Sequence, residues 1–398
     1  MRVLISTFQC APGIGGEPGN GWYWPTALTS LGHEVTVVTD SYFRSHVAAE
    51  AGNWPQIRFE FVDRPWTPVR YPGVLRVADT YRRWQVDAYR HMAATGMEFD
   101  VTHHTGWGSV HLGSQLWRLP APLVFGPVGG GQTAPASYWR YFGRDWPLEA
   151  VRNTATKSLL GLNPLSQTVR KAAVTLATNY DTVSLSKSLG GRDVRYSLAE
   201  GLPADWIAAP RQKPAGVPTV LWVGRMLPRK APALAVRAFA ELRRMMPARL
   251  VMAGDGPLFG QVRELVDQLG IADSVDLPGR VQWTDLIGMY DKASAFLFCS
   301  LRDSSGSQFL EALGRGLPAV ALGHHGIGDT ETGIAAIKVP VVPRPEDMPA
   351  QLGQAVHTLL TGEDWEGRSA AAVRWAAGNT WAAKAEAATR IYEEVAKR

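Results

Sequence analysis

Short apolar runs alternate with longer amphipathic segments along nearly the whole chain, and within each run the apolar residues are consecutive. A strand with one face in water shows a period of two, so a run apolar at successive positions must bury both faces. Parallel strands covered by helices on either side meet that condition. Strand candidates in the first half are 2–7 (Arg-Val-Leu-Ile-Ser-Thr), 34–39, 57–62, 100–104, 122–126 and 173–177. Those in the second half are 219–224 (Thr-Val-Leu-Trp-Val-Gly), 249–254, 274–277, 295–299 and 319–322. Two such series in succession predict an α/β chain of two doubly wound, Rossmann-like domains, which suits a length of 398 residues.

The break falls at 201–217, where three prolines and two glycines interrupt any apolar period. It gives a first domain over 1–205 and a second over 206–379. Residues 380–398 are rich in Ala and Glu and predict a terminal helix packing back on the first domain, with Trp381, Ile391 and Tyr392 as anchors. Open α/β sheets bind ligands at the carboxyl ends of their strands. A cleft between two such edges is the expected place for chemistry.

Bulk properties exclude several classes. Only two cysteines, Cys10 and Cys299, are present, too few for a disulfide framework; buried free thiols in a reducing compartment are expected. No run approaches the roughly 20 apolar residues that cross a bilayer, and no leader precedes Met1-Arg2-Val3, so the chain is expected in the cytoplasm. A net charge of +5 suits phosphate-bearing ligands, but no basic block is dense enough for nucleic acid, and no zinc spacing appears.

The densest constellation is Asp303-Ser-Ser-Gly-Ser-Gln-Phe-Leu-Glu311, two carboxylates eight positions apart, the first in a loop and the second one turn inside a helix. Ser305, Gly306 and Ser307 place amides at that helix's start, where a phosphate is favoured. Glu311 can accept both hydroxyls of a ribose, and Asp303 lies where it can hold hexose hydroxyls. Upstream, Gly224-Arg225 ends a strand and Lys230 follows five residues later. The planar fork of Arg225 and the compact charge of Lys230 suit a pyrophosphate. The bland alternative, a capped helix beside a solvated basic turn, explains neither the pairing of acids with bases nor their spacing.

Signals in the first half are looser. Gly13-Ile-Gly15-Gly16-Glu17-Pro-Gly-Asn-Gly21 is a glycine-rich strand-to-helix turn whose amides at Gly15 and Gly16 can approach an anionic ligand; it lacks the spaced glycines of a dinucleotide fold. Glu17 is either an acceptor-hydroxyl contact or a solvated loop acid. Gly129 and Gly130, within three consecutive glycines, bring backbone near an acceptor or form a plain tight turn. His103 and His104 end a strand; either can exchange protons near a sugar, or both can be core histidines, and successive strand positions face opposite ways.

Arg225 with Lys230, followed by an acid, seven residues and Glu, then Glu-Ala-Leu-Gly-Arg-Gly-Leu-Pro, resembles the family 4 retaining glycosyltransferases of GT-B fold. Asp100-Val-Thr-His-His is similar to that family's Asp-x-x-His stretch. The loop Gly16-Glu-Pro-Gly-Asn-Gly-Trp22 resembles a bacterial subgroup. The resemblance implies transfer of a hexose from a nucleoside diphosphate sugar, UDP or GDP first, to a sugar-bearing acceptor. In it, Arg225 and Lys230 neutralise the leaving pyrophosphate, Glu311 binds ribose and Asp303 contacts the hexose. Ser305 to Ser307 contact hexose and α-phosphate, while Arg280 and Val281 flank the base. It requires no cofactor and no metal, and the sequence holds no Asp-x-Asp. Asp303 stands where the family usually has Glu. A nucleotide-sugar 2-epimerase and a non-catalytic sugar-nucleotide or glycan-binding protein would share this architecture.

Two stretches interleave aromatics with arginines: Trp66, Tyr71, Tyr81, Trp84 and Tyr89 among Arg64, Arg70, Arg76, Arg82, Arg83 and Arg90, and Tyr138, Trp139, Tyr141, Phe142 and Trp146 with Arg140, Arg144 and Arg152. Such stretches lie on an anionic membrane, line a sugar site, or cover the sheet as ordinary amphipathic helices.

Overall fold

The computed structural model describes residues 1–64, 73–158 and 166–397. It divides into two compact units, the first made of residues 1–131, 156–201 and 381–398 and the second of 132–155 and 202–380. Trp66, Arg70 and Tyr71 of the first aromatic stretch lie outside the described residues.

In the first unit, strands β1 (Arg2–Ser6), β2 (Glu34–Asp40), β3 (Ile57–Val62), β4 (Val101–His104), β5 (Leu123–Val128), β6 (Val174–Ala177) and β7 (Val194–Tyr196) form one sheet in the order β3-β2-β1-β4-β5-β6-β7. The second unit orders β8 (Thr219–Val223), β9 (Arg249–Ala253), β10 (Val275–Gly279), β11 (Ala295–Phe298), β12 (Ala319–Leu322) and β13 (Ala336–Val339) as β10-β9-β8-β11-β12-β13. Every described pairing within these sheets is parallel. Two doubly wound sheets result. In each the strand order reverses once, between β1 and β4 and between β8 and β11, and that reversal opens the crevice where such sheets take ligands.

β1 shows why its run lacks alternation. Val3 and Ile5 pack with Trp24, Leu28, Trp381 and Tyr392 on one face, while Leu4 packs with Tyr81, Trp84 and Phe125 on the other. All three β1 residues are fully buried. The terminal helix Trp381–Ala396 buries Trp381, Ala385, Ala388, Ile391, Tyr392 and Val395, one stripe at helical spacing, in the first unit's core.

Two expectations need correcting. β7 and β13 escape a reading by apolar runs because each is a short edge strand that carries a basic residue. Residues 132–155, expected in the first domain, belong to the second unit. Their anchor is Glu149, a buried acid that accepts a hydrogen bond from Arg302 Nη2 on Oε2 at 3.2 Å and stands in an ion pair with the same guanidinium, Nε lying 2.6 Å from Oε1. Arg152 adds a bond to Glu149 Oε1 at 3.3 Å; burial, and then repulsion from Arg302, holds its guanidinium down at about 10.

Cys10 and Cys299 are buried free thiols. Cys10 lies in the loop after β1, and Cys299 directly follows β11. Finally, Tyr81 and Trp84 are fully buried while Arg76, Arg82, Arg83 and Arg90 face water. The helix Gly73–Ala94 is thus an ordinary amphipathic cover for the sheet, not an aromatic surface.

Candidate functional site

The second unit gathers most of the predicted residues at its strand-order reversal. Gly224 to Lys230 leave β8, and the segment ending in Asp303 leaves β11 beside it. Backbone bonds tie the two turns: Leu301 N donates to Arg229 O at 2.8 Å. Lys230, buried, gives one ammonium hydrogen to Asp303 Oδ2 and another to Gln308 Oε1 at 3.3 Å. Its ammonium also lies 5.3 Å from the centre of the Phe298 ring. Arg229 Nη1 stands 3.8 Å from Asp303 Oδ1, so this residue is part of the site and not the bystander its position between Arg225 and Lys230 suggests.

Burial pushes the Asp303 carboxyl up, but the charges of Lys230 and Arg229 outweigh it and hold the pKa below the usual carboxylate range. Asp303 is therefore an anion at neutral pH. Arg225 differs from its neighbours: it is exposed, with no side-chain hydrogen bond or ion pair among the described residues. Two cations thus face one carboxylate, and Arg225 lies on the same turn after β8, an excess of positive charge suited to an anion.

Gly306 caps the helix Ser307–Gly314 at φ 72°, a left-handed conformation, and a Cβ there would fall 2.8 Å from the Phe298 ring. Both demands exclude a side chain. The turn sets the first amides of the helix, from Ser307 and Gln308, at the same edge as Lys230. Gln308, missed at the sequence level, is fixed there by its position in the first helical turn. So is His324 after β12, which bonds Leu301 O at 3.0 Å and steadies the loop before Asp303.

Glu311 lies apart from that cluster. It is 6% exposed and accepts hydrogen bonds from Trp283 Nε1 at 2.9 Å and Tyr290 OH at 2.8 Å. Trp283 follows Arg280 and Val281 in the loop after β10, so the structure brings that loop to the carboxylate. Val281 packs on the core, and Arg280 is exposed.

In the first unit the candidates disperse. Gly16, at φ 74°, caps the helix Glu17–Ser30, and Gly15 precedes it in the turn. Glu17 Oε2 accepts the backbone N–H of Trp107 at 3.1 Å, and Trp107 itself sits at φ 48°. Although solvent reaches Glu17, the protein around it pushes its carboxyl up to about 7; the Trp107 bond opposes this and the charge of Glu200 adds to it.

The histidines are core residues. His103 Nε2 has only a carbonyl partner, Gly126 O at 2.7 Å, so this nitrogen carries the hydrogen and Nδ1 accepts from Tyr392 OH at 2.5 Å. Neither nitrogen remains for the catalytic role expected of it. His104 Nε2 lies 2.8 Å from Tyr81 OH, and its Nδ1 is buried without a partner. Burial lowers the two to about 4 and about 3, far from the range of a proton shuttle at neutral pH. Alternation did separate them onto opposite faces, but both faces are core. Gly129 and Gly130 also serve the fold: Gly129 N donates to Gly108 O at 2.7 Å, and Gly130 O bonds His111 Nε2 at 2.9 Å. Their expected contact with an acceptor has no free amide at Gly129 to rest on.

Among the described residues, no group of three or more His, Cys, Asp or Glu is placed to hold a metal ion.

Comparison with known proteins agrees with this geometry. The model for "Glycosyl transferases group 1" matches residues 206–334. The D-inositol 3-phosphate glycosyltransferase of Frankia alni is 34% identical over 184 residues, 44% of this chain and 44% of that protein, so the alignment takes in less than half the relative's length. Among solved structures, sucrose-phosphate synthase from Thermosynechococcus elongatus superposes with a TM-score of 0.72 at 17% identity, covering 99% of each chain. Anabaena HepE in complex with UDP gives 0.63 at 14% identity, covering 99% of this chain and 100% of that one. Residues 206–334 are therefore similar to the group 1 glycosyl transferases, within a chain of GT-B fold.

Proposed function

We propose that the chain moves a hexose from a nucleoside diphosphate sugar to an acceptor hydroxyl with retention of anomeric configuration, as a family 4 glycosyltransferase. The observation that carries this is the pair of cations Arg229 and Lys230 on Asp303 at the ligand edge of the second sheet, with exposed Arg225 on the same turn and the first amides of Ser307–Gly314 beside them. As the bond from the anomeric carbon to the β-phosphate breaks, charge builds on the departing diphosphate. Cations already in place stabilise that charge more than they stabilise the bound donor, and this difference accelerates the step. Asp303 and Gln308 keep the Lys230 ammonium in position, leaving it one further hydrogen to give. Asp303 thereby serves Lys230 as well as any hexose hydroxyl. This assigns charge neutralisation to side chains rather than to a metal ion, and the donor is a substrate, not a cofactor.

Glu17, in the first unit, is the group best suited to meet an acceptor hydroxyl, since it opens the helix after the glycine turn, reaches solvent and is held by the Trp107 N–H on Oε2. The bound UDP in HepE supports trying UDP-sugars first. The inositol phosphate in the relative's name supports polyol phosphates among the acceptors.

The test is a thermal-shift panel of UDP-, GDP-, ADP- and dTDP-sugars against wild type and Arg225→Ala. A donor at ~100 times its Kd stabilises by about 2.7 kcal/mol. Stabilisation of the wild type by one nucleotide class supports the reading; silence across the panel refutes it. Product analysis then separates transfer from 2-epimerisation, and from binding without turnover.

The reading puts the chain in the cytoplasm, in peripheral contact with the inner membrane face. No helix among the described residues is long and apolar enough to cross a membrane. Support for contact comes from residues 139–151, where Trp139, Leu148 and Val151 are 48%, 64% and 66% exposed beside exposed Arg140 and Arg144. Burying one such apolar side chain is worth about 1.5–3 kcal/mol. The double variant Leu148→Glu, Val151→Glu is thus expected to bind phosphatidylglycerol vesicles at least about tenfold more weakly in co-sedimentation. Unchanged binding would remove this face from consideration.

A further inference from the structure

Each oxygen of Glu311 is held by a different aromatic side chain: Trp283 Nε1 reaches Oε1 at 2.9 Å, and Tyr290 OH reaches Oε2 at 2.8 Å. Neither donor is loose. The Trp283 ring stacks on Trp206 with centroids 4.3 Å apart and planes 16° from parallel. Tyr290 is fully buried, its ring 5.9 Å from Phe296 and 6.5 Å from Trp206. Burial first, and then the charge of Glu311, keeps the Tyr290 hydroxyl protonated well above its ordinary range, so it remains a donor at any working pH.

An ionised carboxylate offers about four acceptor directions. A bond on each oxygen fixes the plane of the group and removes the rotamer freedom that a ligand would otherwise have to quench. A helix carboxylate aimed by two buried aromatic donors is more elaborate than capping or solvation requires.

We propose that Trp283 and Tyr290 are positioning residues that hold the Glu311 carboxylate in the plane required to accept both hydroxyls of the donor's ribose, and that this makes the site selective for ribonucleotides over 2′-deoxyribonucleotides. The proposal rests on the donor-site reading above. A 2′-deoxy ligand leaves one aimed acceptor direction without its hydrogen, and sites built to bond a hydroxyl discriminate strongly against its loss. Trp283 and Tyr290 act through Glu311, so their loss should erode that discrimination rather than affinity in general.

The experiment measures Kd by calorimetry for UDP and GDP, then for the 2′-deoxy analogue of whichever binds more tightly. Wild type is compared with Trp283→Phe, which keeps the ring stack on Trp206, and with Tyr290→Phe, which keeps the shape; melting curves confirm folding. Wild type should prefer the ribonucleotide by about tenfold or more, the usual worth of a hydrogen bond to a charged group. Each variant should lose about tenfold for the ribonucleotide and less than about twofold for the deoxy analogue, so the ratio narrows. A purely structural role would weaken both ligands alike and keep the ratio, which overturns the proposal, as does a wild type indifferent to the 2′-hydroxyl. Binding of neither diphosphate by wild type is a different failure: it removes the donor site itself, and the transferase reading with it.

Discussion

Arg225→Ala is expected to lower turnover about 10²- to 10³-fold, the range seen when one preorganised donor to developing negative charge is removed, while changing stability by no more than about 0.5 kcal/mol. The two halves of that expectation come from one observation. Arg225 stands at the ligand edge of the second sheet, exposed and with no ion pair to break. Its removal costs the fold little and the departing diphosphate much. Lys230→Ala should behave differently because Lys230 is buried against Asp303. Removing it strands an ionised carboxylate in the protein and should cost about 3 kcal/mol of stability in addition to activity. That is the low end for a broken buried pair, since Arg229 stays within 3.8 Å of Asp303. Single-turnover rates and denaturant unfolding on both variants check the contrast. An Arg225→Ala enzyme with wild-type turnover would show that Arg225 does not face the leaving group, and a fully stable Lys230→Ala would show that Asp303 does not depend on it.

The same pair of residues shows what a sequence can and cannot reveal here. Strand positions follow from runs such as Val3-Leu4-Ile5 because burial on both faces leaves a local signature in composition. The acids and bases of 303–311 and 225–230 stand out because chemistry demands charged groups at the ends of those strands. What stays hidden is pairing at long range. Nothing near Glu149 announces Arg302, 153 positions away, yet that ion pair anchors 132–155 in the second unit. Nothing in the Trp283 loop announces Glu311. Strand alternation separates His103 from His104 but does not tell that Gly126 and Tyr392 occupy both ring nitrogens of His103. Glycine-rich turns are ambiguous for a related reason: Gly130 is small because, at φ 127°, a Cβ would crowd Val110 and His111, and a ligand would leave the same mark in sequence.

Those two histidines should dominate the acid stability of the first unit. Each is held neutral by burial, with a folded pKa of about 4 for His103 and about 3 for His104, against about 6.5 in an unfolded chain. A base whose folded pKa is depressed leaves stability intact above the unfolded value. As pH falls below about 6.5 the unfolded chain takes up protons that the folded unit refuses, and stability drops by about 1.4 kcal/mol per pH unit for each histidine until the folded values are reached. His33, also lowered by burial, contributes with the same sign. Glu17 works in the opposite direction: its raised carboxyl takes up a proton in the folded state first, which favours folding as pH falls from about 7 toward the ordinary carboxylate value of 4.5. Asp303, held low, loses its contribution only in more acid solution and belongs to the other unit. The clean experiment therefore follows hydrogen exchange of the β4 amides between pH 7 and pH 4.5 in a Glu17→Gln background. Opening free energy should fall steeply across that window, and the slope should be shallower by about 1.4 kcal/mol per pH unit after either His103→Gln or His104→Gln. An identical slope in both variants would mean that the histidines are protonated in the folded core, which the carbonyl partner of His103 Nε2 and the hydroxyl on its Nδ1 argue against: a second ring proton would have to displace the Tyr392 hydrogen bond inside a sealed interior.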